Sequence, residues 1–532
     1  MASFEGVIVG AGHNSLTLGA YLAKAGVRIA VVERNPEIGG GCTTEEVTLP
    51  KFRHNLHSNF YIGIEDAPLH EDLELHRYGF RHIIPPVQNA AVFRDGTSVI
   101  IHRDIEKTCE SFARFSKKDA ETFRTLHDRY AVRMRGVINS LLYSQPMPPD
   151  ELRDRIRGEE GAEFLGYAGL SMNEAVDRHF EEERIRVLFK LYLHAITVEN
   201  VPGTGLFFPL VVSNSTRISL PVGGSLTFPL ALARIIEENG GKIIKGRTVE
   251  RIVVEDGEAR GVELDDGSAL EATRFVASGI DAPRTIRMAG EEHFSEDVVG
   301  KIRNWKWGSH SLLTLHLALN DAPRYLSEGF DPDVSRAYNV FIGAENSGEI
   351  DVCMDEMKEG RFPSQPMGNG SCNTLFDPGY APEGKHLAFW WPFAPYHLKD
   401  GEGGGPEDWD ARKTEYAARV LDAWRQYAPN LTEKNVLATF LFTPLDISRR
   451  NLNMVQGSVR MGAYYPDQLG FNRPHPELSH HRTPVKGLFL CGSSNHGGGV
   501  NGAPGYNAAN TIAQDLGLKR WWTPMAPPNW RG

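Results

Sequence analysis

The sequence predicts an α/β fold in which a parallel-sheet domain is interwoven with a mixed α+β domain that carries a helical insertion. Three observations support this fold class. Residues 4–33 have the pattern strand, glycine turn, helix and strand, residues 104–195 show apolar side chains at helical spacing, and residues 487–517 repeat the order strand, glycine turn and helix. We therefore expect the two ends of the chain to belong to one domain.

The first glycine turn has the sequence GAGHNS at residues 10–15 and is followed by Glu33 at the end of the next strand. Gly10 permits a tight turn, and Gly12 lets backbone N–H groups at a helix N-terminus approach a pyrophosphate. Glu33 can accept hydrogen bonds from a ribose diol. The pattern is the dinucleotide fingerprint of a Rossmann-like fold, except that Ser15 replaces the third glycine. The predicted cofactor-binding residues of this segment are Gly10, Gly12, His13, Asn14, Ser15, Glu33 and Arg34.

A second glycine cluster indicates which dinucleotide is bound. Gly39, Gly40 and Gly41 follow Glu33 closely, and glycine there lets the backbone pass near a second part of a long cofactor. This extension is typical of FAD-binding folds, so Gly40 and Gly41 join the predicted FAD site. Cys42 comes next, but no cysteine follows it at the spacing of a redox pair, which argues against dithiol chemistry.

The middle of the chain is predicted to supply a helical layer and a β-meander. The helical layer spans about residues 104–195 and contains two capping-box patterns, Ser116-x-x-Asp119 and Ser171-x-x-Glu174. Within residues 221–278, turn signals at 255–257 and 265–267 predict hairpins. A glycine-rich stretch at 401–406 is predicted to be an exposed loop.

The C-terminal segment predicts a second part of the site. A strand ending at Cys491 leads to Gly492, and a run of glycines at 497–505 then precedes a helix with Pro504 in its first turn. A glycine-rich helix N-terminus suits an anionic or electron-rich ligand, and the O2 edge of a flavin is such a ligand.

Composition narrows the class of protein. The 532 residues carry 68 acidic and 57 basic side chains, a net charge of −11 without long blocks, which argues against a nucleic-acid partner. The five cysteines are scattered, as in a reduced cytoplasmic protein, and no metal site is expected. Apolar runs are too short to span a bilayer, so any membrane contact is predicted to be peripheral.

Four segments together resemble one family: the N-terminal fingerprint, Pro221 to Ser225, Val276 to Pro283, and Leu490 to Gly505. The chain resembles the phytoene desaturase and carotenoid isomerase group of the FAD-dependent amine oxidase superfamily. Within that group, the sequence looks most like the branch of proteins called pyridine nucleotide-disulfide oxidoreductase domain-containing protein 2. That branch name does not describe this sequence, because a redox cysteine pair and a second nucleotide fingerprint are both missing.

The resemblance implies an FAD-binding domain of glutathione reductase type and a substrate-binding domain. The first comprises residues 1–75, 215–290 and 455–532, and the second comprises residues 76–214 and 291–454. The resemblance also places Val249 by the adenine end of FAD and the backbone around Val500, Asn501 and Gly502 by the isoalloxazine.

Candidate catalytic and substrate residues rest on their chemistry. His57 and His496 can act as bases near neutral pH. A tunnel for an apolar or aromatic substrate can be lined by aromatic side chains, and Arg460 can bind a substrate carboxylate. The predicted substrate residues are Trp305, Trp390, Trp391, Tyr396, Tyr464 and Arg460.

Three functions fit these residues. The first is an FAD-dependent oxidoreductase that removes hydride from a carbon centre of an apolar or aromatic small molecule, with oxygen or a quinone reoxidising the flavin; a redox-neutral flavin isomerase is a variant of it. The second is an amine oxidase acting on a C–N bond. The third is a non-enzymatic escort protein of the same fold that binds prenylated proteins. The intact glycine turns and Glu33 argue against the third, and the sequence leaves the oligomeric state open.

Overall fold

The protein is described by a computed structural model that covers residues 2–399 and 404–532, so residues 401–403 of the predicted exposed loop lie outside the described residues. The strands of the described chain form four sheets. The strands are β1 (Ala2–Val9), β2 (Ile29–Glu33), β3 (Thr44–Glu45), β4 (His54–Asn55), β5 (Tyr61–Ile62), β6 (His82–Ile83), β7 (Val87–Val92), β8 (Ser98–His102), β9 (Ile218–Pro221), β10 (Lys242–Lys245), β11 (Val249–Glu255), β12 (Glu258–Leu264), β13 (Ala269–Ser278), β14 (Ser311–Leu312), β15 (Thr314–Leu319), β16 (Asn339–Ile342), β17 (Gly368–Ser371), β18 (His386–Ala394), β19 (Val436–Phe442) and β20 (Leu488–Leu490).

The α-helices lie mostly between these strands. They are α1 (His13–Lys24), α2 (Pro68–Asp72), α3 (Ile105–Ala113), α4 (Lys117–His127), α5 (Arg135–Tyr143), α6 (Pro149–Arg155), α7 (Gly158–Gly166), α8 (Met172–Asp177), α9 (Glu183–Ala195), α10 (Phe207–Asn214), α11 (Thr227–Glu238), α12 (Ala282–Ala289), α13 (Glu296–Arg303), α14 (Ser347–Lys358), α15 (Asp408–Arg425), α16 (Pro444–Arg450) and α17 (Ala503–Asp515). Within the described ranges, no helix combines the length and the apolar character needed to cross a bilayer.

The first sheet brings distant parts of the chain together in the order β10-β2-β1-β13-β12-β11, with β20 paired to β13. Its β10, β2, β1, β13 and β20 are parallel, and β11, β12 and β13 form the predicted antiparallel meander. The predicted hairpin at 255–257 joins β11 to β12, with positive φ at Asp256 and Gly257. The predicted α/β fold with a Rossmann-like unit is confirmed.

Both faces of the first sheet are covered. On one face, α1 packs between α11 and α17, and their apolar side chains form one core. On the other face, α12 and α13 pack against the meander. Since the parallel strands are buried on both faces, they are continuous apolar runs, as the sequence of β1 and β2 predicts.

The position of Ser15 in the fingerprint is explained by its neighbour on β13. A Cβ atom added to Gly279 would lie 1.8 Å from the Ser15 Oγ atom, and Ser15 itself is buried. The close approach of helix and sheet that a third glycine normally permits is therefore permitted here by Gly279, the residue that follows β13.

The second sheet has the order β19-β15-β18-β17-β16-β7-β8, with β14 paired to β18. One face is covered by the helical layer α3 to α10 and the other by α15. The predicted helical layer at about 104–195 thus corresponds to α3 to α9. The remaining described strands form two smaller sheets, β3-β4 and β5-β9-β6.

One of the two predicted capping boxes forms fully. At Ser171 the side chain accepts from the Glu174 N–H, and the Glu174 carboxylate accepts from the Ser171 N–H. Ser116 also caps its helix, but the prediction of a reciprocal box there is wrong. The Asp119 carboxylate instead accepts from the N–H groups of Glu181 and Glu182, because it is buried against the start of α9.

The contact between Ser15 and Gly279 gives a stability prediction. Replacing Gly279 with alanine should lower the thermal unfolding midpoint, because overpacking of this kind costs about 1–3 kcal/mol. Adding Ser15→Gly to Gly279→Ala should restore most of the loss, since it removes the clashing side chain, while Ser15→Gly alone costs about 1 kcal/mol as a helix glycine. Losses that simply add in the double variant would contradict this account.

Candidate active site

A cavity of about 930 Å³ lies between the first sheet, the second sheet and the helical layer. Both ends of the chain contribute to its lining, together with the loops that follow β2, β4 and β13. The predicted site residues that line it are Gly10, Gly12, His13, Asn14, Ser15, Glu33, Arg34, Gly40, Gly41, His57, Val249, Trp391, Arg460, Tyr464, His496, Val500 and Asn501.

The N-terminus of α1 opens into this cavity. Gly12 is its N-cap residue, and no side chain caps the first turn. A Cβ atom added to Gly12 would meet nothing within 4 Å, and the φ of −72° suits any L-residue. Neither protein packing nor backbone conformation therefore explains a glycine at this position, and the space in front of it is open to a ligand. Free N–H groups, helix dipole and open space together suit a pyrophosphate.

Glu33 is held in place at the end of β2. Its carboxylate accepts from the Ala11 N–H at 2.8 Å and from the Asn35 N–H at 2.9 Å. The side chain is only 6% exposed, yet it lines the cavity. Each carboxylate oxygen keeps a free lone pair, so Glu33 can also accept from two ribose hydroxyl groups.

The second glycine cluster brings the backbone close to α1. Gly40 has a φ of +61°, and a Cβ atom there would lie 3.3 Å from the Gly12 Cα atom. Gly39 donates its N–H to the Ala11 carbonyl at 2.8 Å. Glycine is required here because the two turns pass each other without room for side chains.

The C-terminal glycine turn approaches the same space from the other side. Gly502 is the N-cap residue of α17 in the left-handed region, with φ +73°. A Cβ atom at Gly505 would lie 2.0 Å from the Asn14 carbonyl oxygen, so α17 packs directly against α1. As a result the N-termini of both helices meet at one cavity. Gly492 and Gly502 do not line it: Gly492 packs against the Gly279 carbonyl and Gly502 against Thr17.

These features fit FAD. The cavity presents a ribose acceptor at Glu33, an uncapped helix N-terminus at Gly12 and the 497–501 turn before a second helix, features that suit the ribose, the pyrophosphate and the flavin of FAD. Val249 and Thr248 also line the cavity, and the adjacent Arg247 donates its N–H to the Glu33 carbonyl at 3.0 Å.

The two candidate histidines both line the cavity and are neutral at pH 7. Burial lowers the pKa of each to about 4, and the positive charge of Arg450 adds to the effect at His57. His496 donates its Nε2–H to the Leu141 carbonyl at 2.6 Å, which fixes its ring. Neither ring nitrogen of His57 has a hydrogen-bond partner in the described chain.

Three of the predicted substrate residues do not reach the cavity. Trp390 does not have its predicted role in the substrate wall, because successive strand residues point to opposite faces of the sheet. Its ring packs on the outer face of β18, with its centroid 5.9 Å from that of Trp424. Trp305 donates its indole N–H to the Met461 carbonyl and belongs to the core beside α13. Tyr396 lies beyond the end of β18 and packs near Trp409 on that same outer side.

Much of the apolar wall of the cavity comes from the helical layer, which the sequence-based prediction of substrate residues omitted. Its side chains there belong to α7, α9 and α10 and to the segments next to them. Examples are Phe164, Tyr192, Ile196, Phe207 and Leu210. Their helical spacing indicates one apolar stripe, but a stripe that faces a cavity has the same pattern as one that faces a packed core.

The cysteines show no redox pair within the described residues. All five are free and buried, and burial raises the pKa of the Cys42 thiol to about 11. Cys42 lines the cavity with its sulfur 3.7 Å from His13 Nδ1, so it is a protonated, unreactive thiol at neutral pH.

Comparison with known proteins agrees with this geometry. Residues 8–93 match the NAD(P)-binding Rossmann-like domain family. The chain is 32% identical to a subunit of the limonene dehydrogenase of Castellaniella defragrans, over 97% of its own length and 96% of that protein. It is 27% identical to pyridine nucleotide-disulfide oxidoreductase domain-containing protein 2 of Mus musculus, covering 96% and 94% of the two chains. A solved oxidoreductase from Methanosarcina mazei shares the fold, with a TM-score of 0.60 at 17% identity over 96% of this chain and 99% of that one.

Fold, cavity and relatives define an FAD-dependent oxidoreductase. The full-length similarity to the limonene dehydrogenase subunit shows that the chain belongs to the phytoene desaturase-like group of the FAD-dependent amine oxidase superfamily.

Gly12 provides a test of the cofactor site. Gly12→Val should leave the protein folded, because its Cβ atom meets no protein atom, but should lower FAD content at least tenfold by occupying the space before α1. Gly300→Val in α13 is a matched control, since a Cβ atom there also meets nothing and the position lies outside the cavity lining. Flavin absorbance per chain and circular dichroism give the two readouts; full flavin content in Gly12→Val would contradict the assignment.

Proposed function

We propose that the protein dehydrogenates an apolar or aromatic small molecule: a hydride leaves one carbon, a proton leaves its neighbour and a double bond forms. The observation that carries this proposal is the continuity of the cavity, in which the glycine turns suited to FAD open directly onto an apolar wall from the helical layer. The similarity to the limonene dehydrogenase subunit supports it, because limonene is an apolar substrate.

The cofactor would be held by backbone groups more than by side chains. We assign Glu33 to the adenosine ribose, the α1 N-terminus at Gly12 to the pyrophosphate, and the turn at Val500 and Asn501 to the flavin ring. Bound FAD supplies a two-electron acceptor for hydride. The protein's part is to orient a C–H bond towards it and to exclude water.

The apolar wall supplies the binding energy for such a substrate. Removing apolar surface from water contributes roughly 25 cal/mol per Å². Tyr464 stacks on Phe207 with ring centroids 5.1 Å apart, and the ring of Trp391 packs against that of Phe389 at 4.6 Å. These rigid rings shape the cavity without adding charge.

Burial makes His57 a weak base with a pKa of about 4, so its ring is unprotonated at neutral pH. Neither ring nitrogen has a hydrogen-bond partner in the described chain, so one of them is open to a proton from the substrate. We propose His57 as the group that receives the proton; His496 already donates to Leu141 and serves to shape the turn before Gly497.

Adjacent tryptophans on β18 offer a matched test of the substrate wall. Trp391→Ala should raise the KM for an apolar substrate at least tenfold, because Trp391 lines the cavity. Trp390→Ala should instead lower thermal stability and leave KM close to its original value, since Trp390 lies in the core on the other face. Equal effects of both variants on KM would argue against a substrate wall at this sheet.

The electron acceptor is proposed to be oxygen or a quinone, because no second nucleotide site is evident in the described residues. The other glycine pairs are used in packing: Gly224 lies against Thr44 and Gly205 against the Tyr167 carbonyl, with no open space in front of them.

Anaerobic mixing separates a dehydrogenase from a nicotinamide-dependent reductase. NADH or NADPH should leave the flavin absorbance unchanged over minutes, whereas an apolar substrate such as limonene or a related cyclic terpene should bleach it by hydride transfer. Rapid bleaching by NADPH would overturn the proposed direction of electron flow. Reduction by small, highly charged metabolites alone would overturn the apolar substrate class.

A further inference from the structure

The charges that line the cavity are strongly unbalanced. Among the residues that the structure describes, Glu33 is the single acidic residue of its lining, whereas six arginines line it, namely Arg34, Arg153, Arg247, Arg284, Arg460 and Arg473. Three of these have acidic partners outside the cavity: Arg153 pairs with Asp150, Arg247 with Asp266 and Arg284 with Asp281. Arg34 follows Glu33 directly and belongs to the ribose end. This leaves Arg460 and Arg473 to be explained.

Arg473 is a buried cation without a counter-ion. It is 1% exposed, and its hydrogen bonds all go to backbone carbonyls, including those of Ser493, Gln468 and Arg460. Burial lowers its pKa to about 10. The guanidinium fixes the loops on both sides of the cavity, and its charge remains uncompensated by any carboxylate within 4 Å in the described chain. Asp467 pairs with Lys306.

Arg460 lies beside Arg473 and is free to bind a ligand. Its Nε–H donates to the Ile196 carbonyl at 3.3 Å, and no described carboxylate lies within 4 Å of its guanidinium. Its side chain is half-buried and lines the cavity. Its Nη1 atom lies 3.3 Å from where a Cβ atom of Gly499 would be, so it borders the C-terminal glycine turn.

The surroundings of Arg460 place it on the substrate side of that turn. Ile196 and Phe207 belong to the apolar wall, and Tyr464 lies between Phe207 and the two guanidinium groups at 5.7 Å and 5.0 Å. A ligand that extends along this wall therefore ends at two unpaired positive charges. A hydrocarbon would leave both charges without a partner, whereas a carboxylate would pair with the accessible fork of Arg460 and compensate Arg473 through space.

We propose that the substrate is an apolar or aromatic carboxylate whose anionic end binds Arg460 while its apolar skeleton lies along the wall of Phe207 and Tyr464. The proposal rests on the proposed function, because it assumes that this wall binds the substrate. It adds that recognition depends on one negative charge held next to the glycine turn at Gly499.

Two probes with the same skeleton test the charge. The flavin-saturated protein is titrated calorimetrically with 4-isopropylbenzoate and with 4-isopropyltoluene, which differ in the carboxylate alone. The wild type should bind the carboxylate about ten- to hundredfold more tightly, the range expected for a charge-assisted hydrogen bond to a charged group. Arg460→Gln should remove that advantage and leave the hydrocarbon affinity unchanged within threefold, and Arg460→Lys should restore part of it.

Arg153→Gln is the matched control, because Arg153 also lines the cavity but its side chain is 65% exposed and paired with Asp150. It should leave both affinities unchanged. Equal binding of the two probes, or an Arg460→Gln variant that keeps the preference, overturns the anion proposal while leaving the apolar substrate class intact. A shift of the flavin midpoint potential in Arg460→Gln without loss of carboxylate affinity also overturns it, since the charge would then serve the flavin. Failure of both probes to bind counts against the proposed function itself.

Discussion

The close packing of α1 between the first sheet and α17 is the constraint on which the site depends. On one side the buried Ser15 meets Gly279, and on the other the Asn14 carbonyl meets Gly505 at a distance that leaves no space for a side chain. These two contacts bring the N-termini of α1 and α17 to one cavity. Because α1 directs N–H groups and its positive dipole end into this space, and α17 begins directly after the turn that lines it, the cavity suits an extended, negatively charged cofactor.

The parts of the fold that depend on backbone geometry could be predicted from sequence. The turn at Gly10 and Gly12, the acid at Glu33 and the glycine turn before α17 each require a particular residue for a local steric or hydrogen-bonding reason, so they leave a pattern at fixed spacing. The hairpin at Asp256 and Gly257 is similar, since both residues adopt positive φ. Residues with this kind of local requirement can be predicted from the sequence without knowledge of the tertiary structure.

The substrate wall could be predicted only in part, because it depends on which face of an element meets empty space. Trp390 and Trp391 are chemically identical and adjacent, yet one lies in the core and the other at the cavity. Aromatic content alone could not separate them. The contribution of α9 and α10 had no separate signal either, since Tyr192 and Phe207 continue apolar stripes that elsewhere face packed side chains.

The order in which the chain supplies the site has a consequence for its biosynthesis. The turn at residues 10–15 is made early, whereas the 497–501 turn that lines the same cavity is made more than 480 residues later. Contacts of such long sequence separation form late in folding. Until then, α1 lacks its contact with α17, so apolar residues of the core that the two helices share are not fully buried. A ligand that needs both turns can therefore bind fully only after residues 497–501 have been made, and its binding would then stabilise the folded chain.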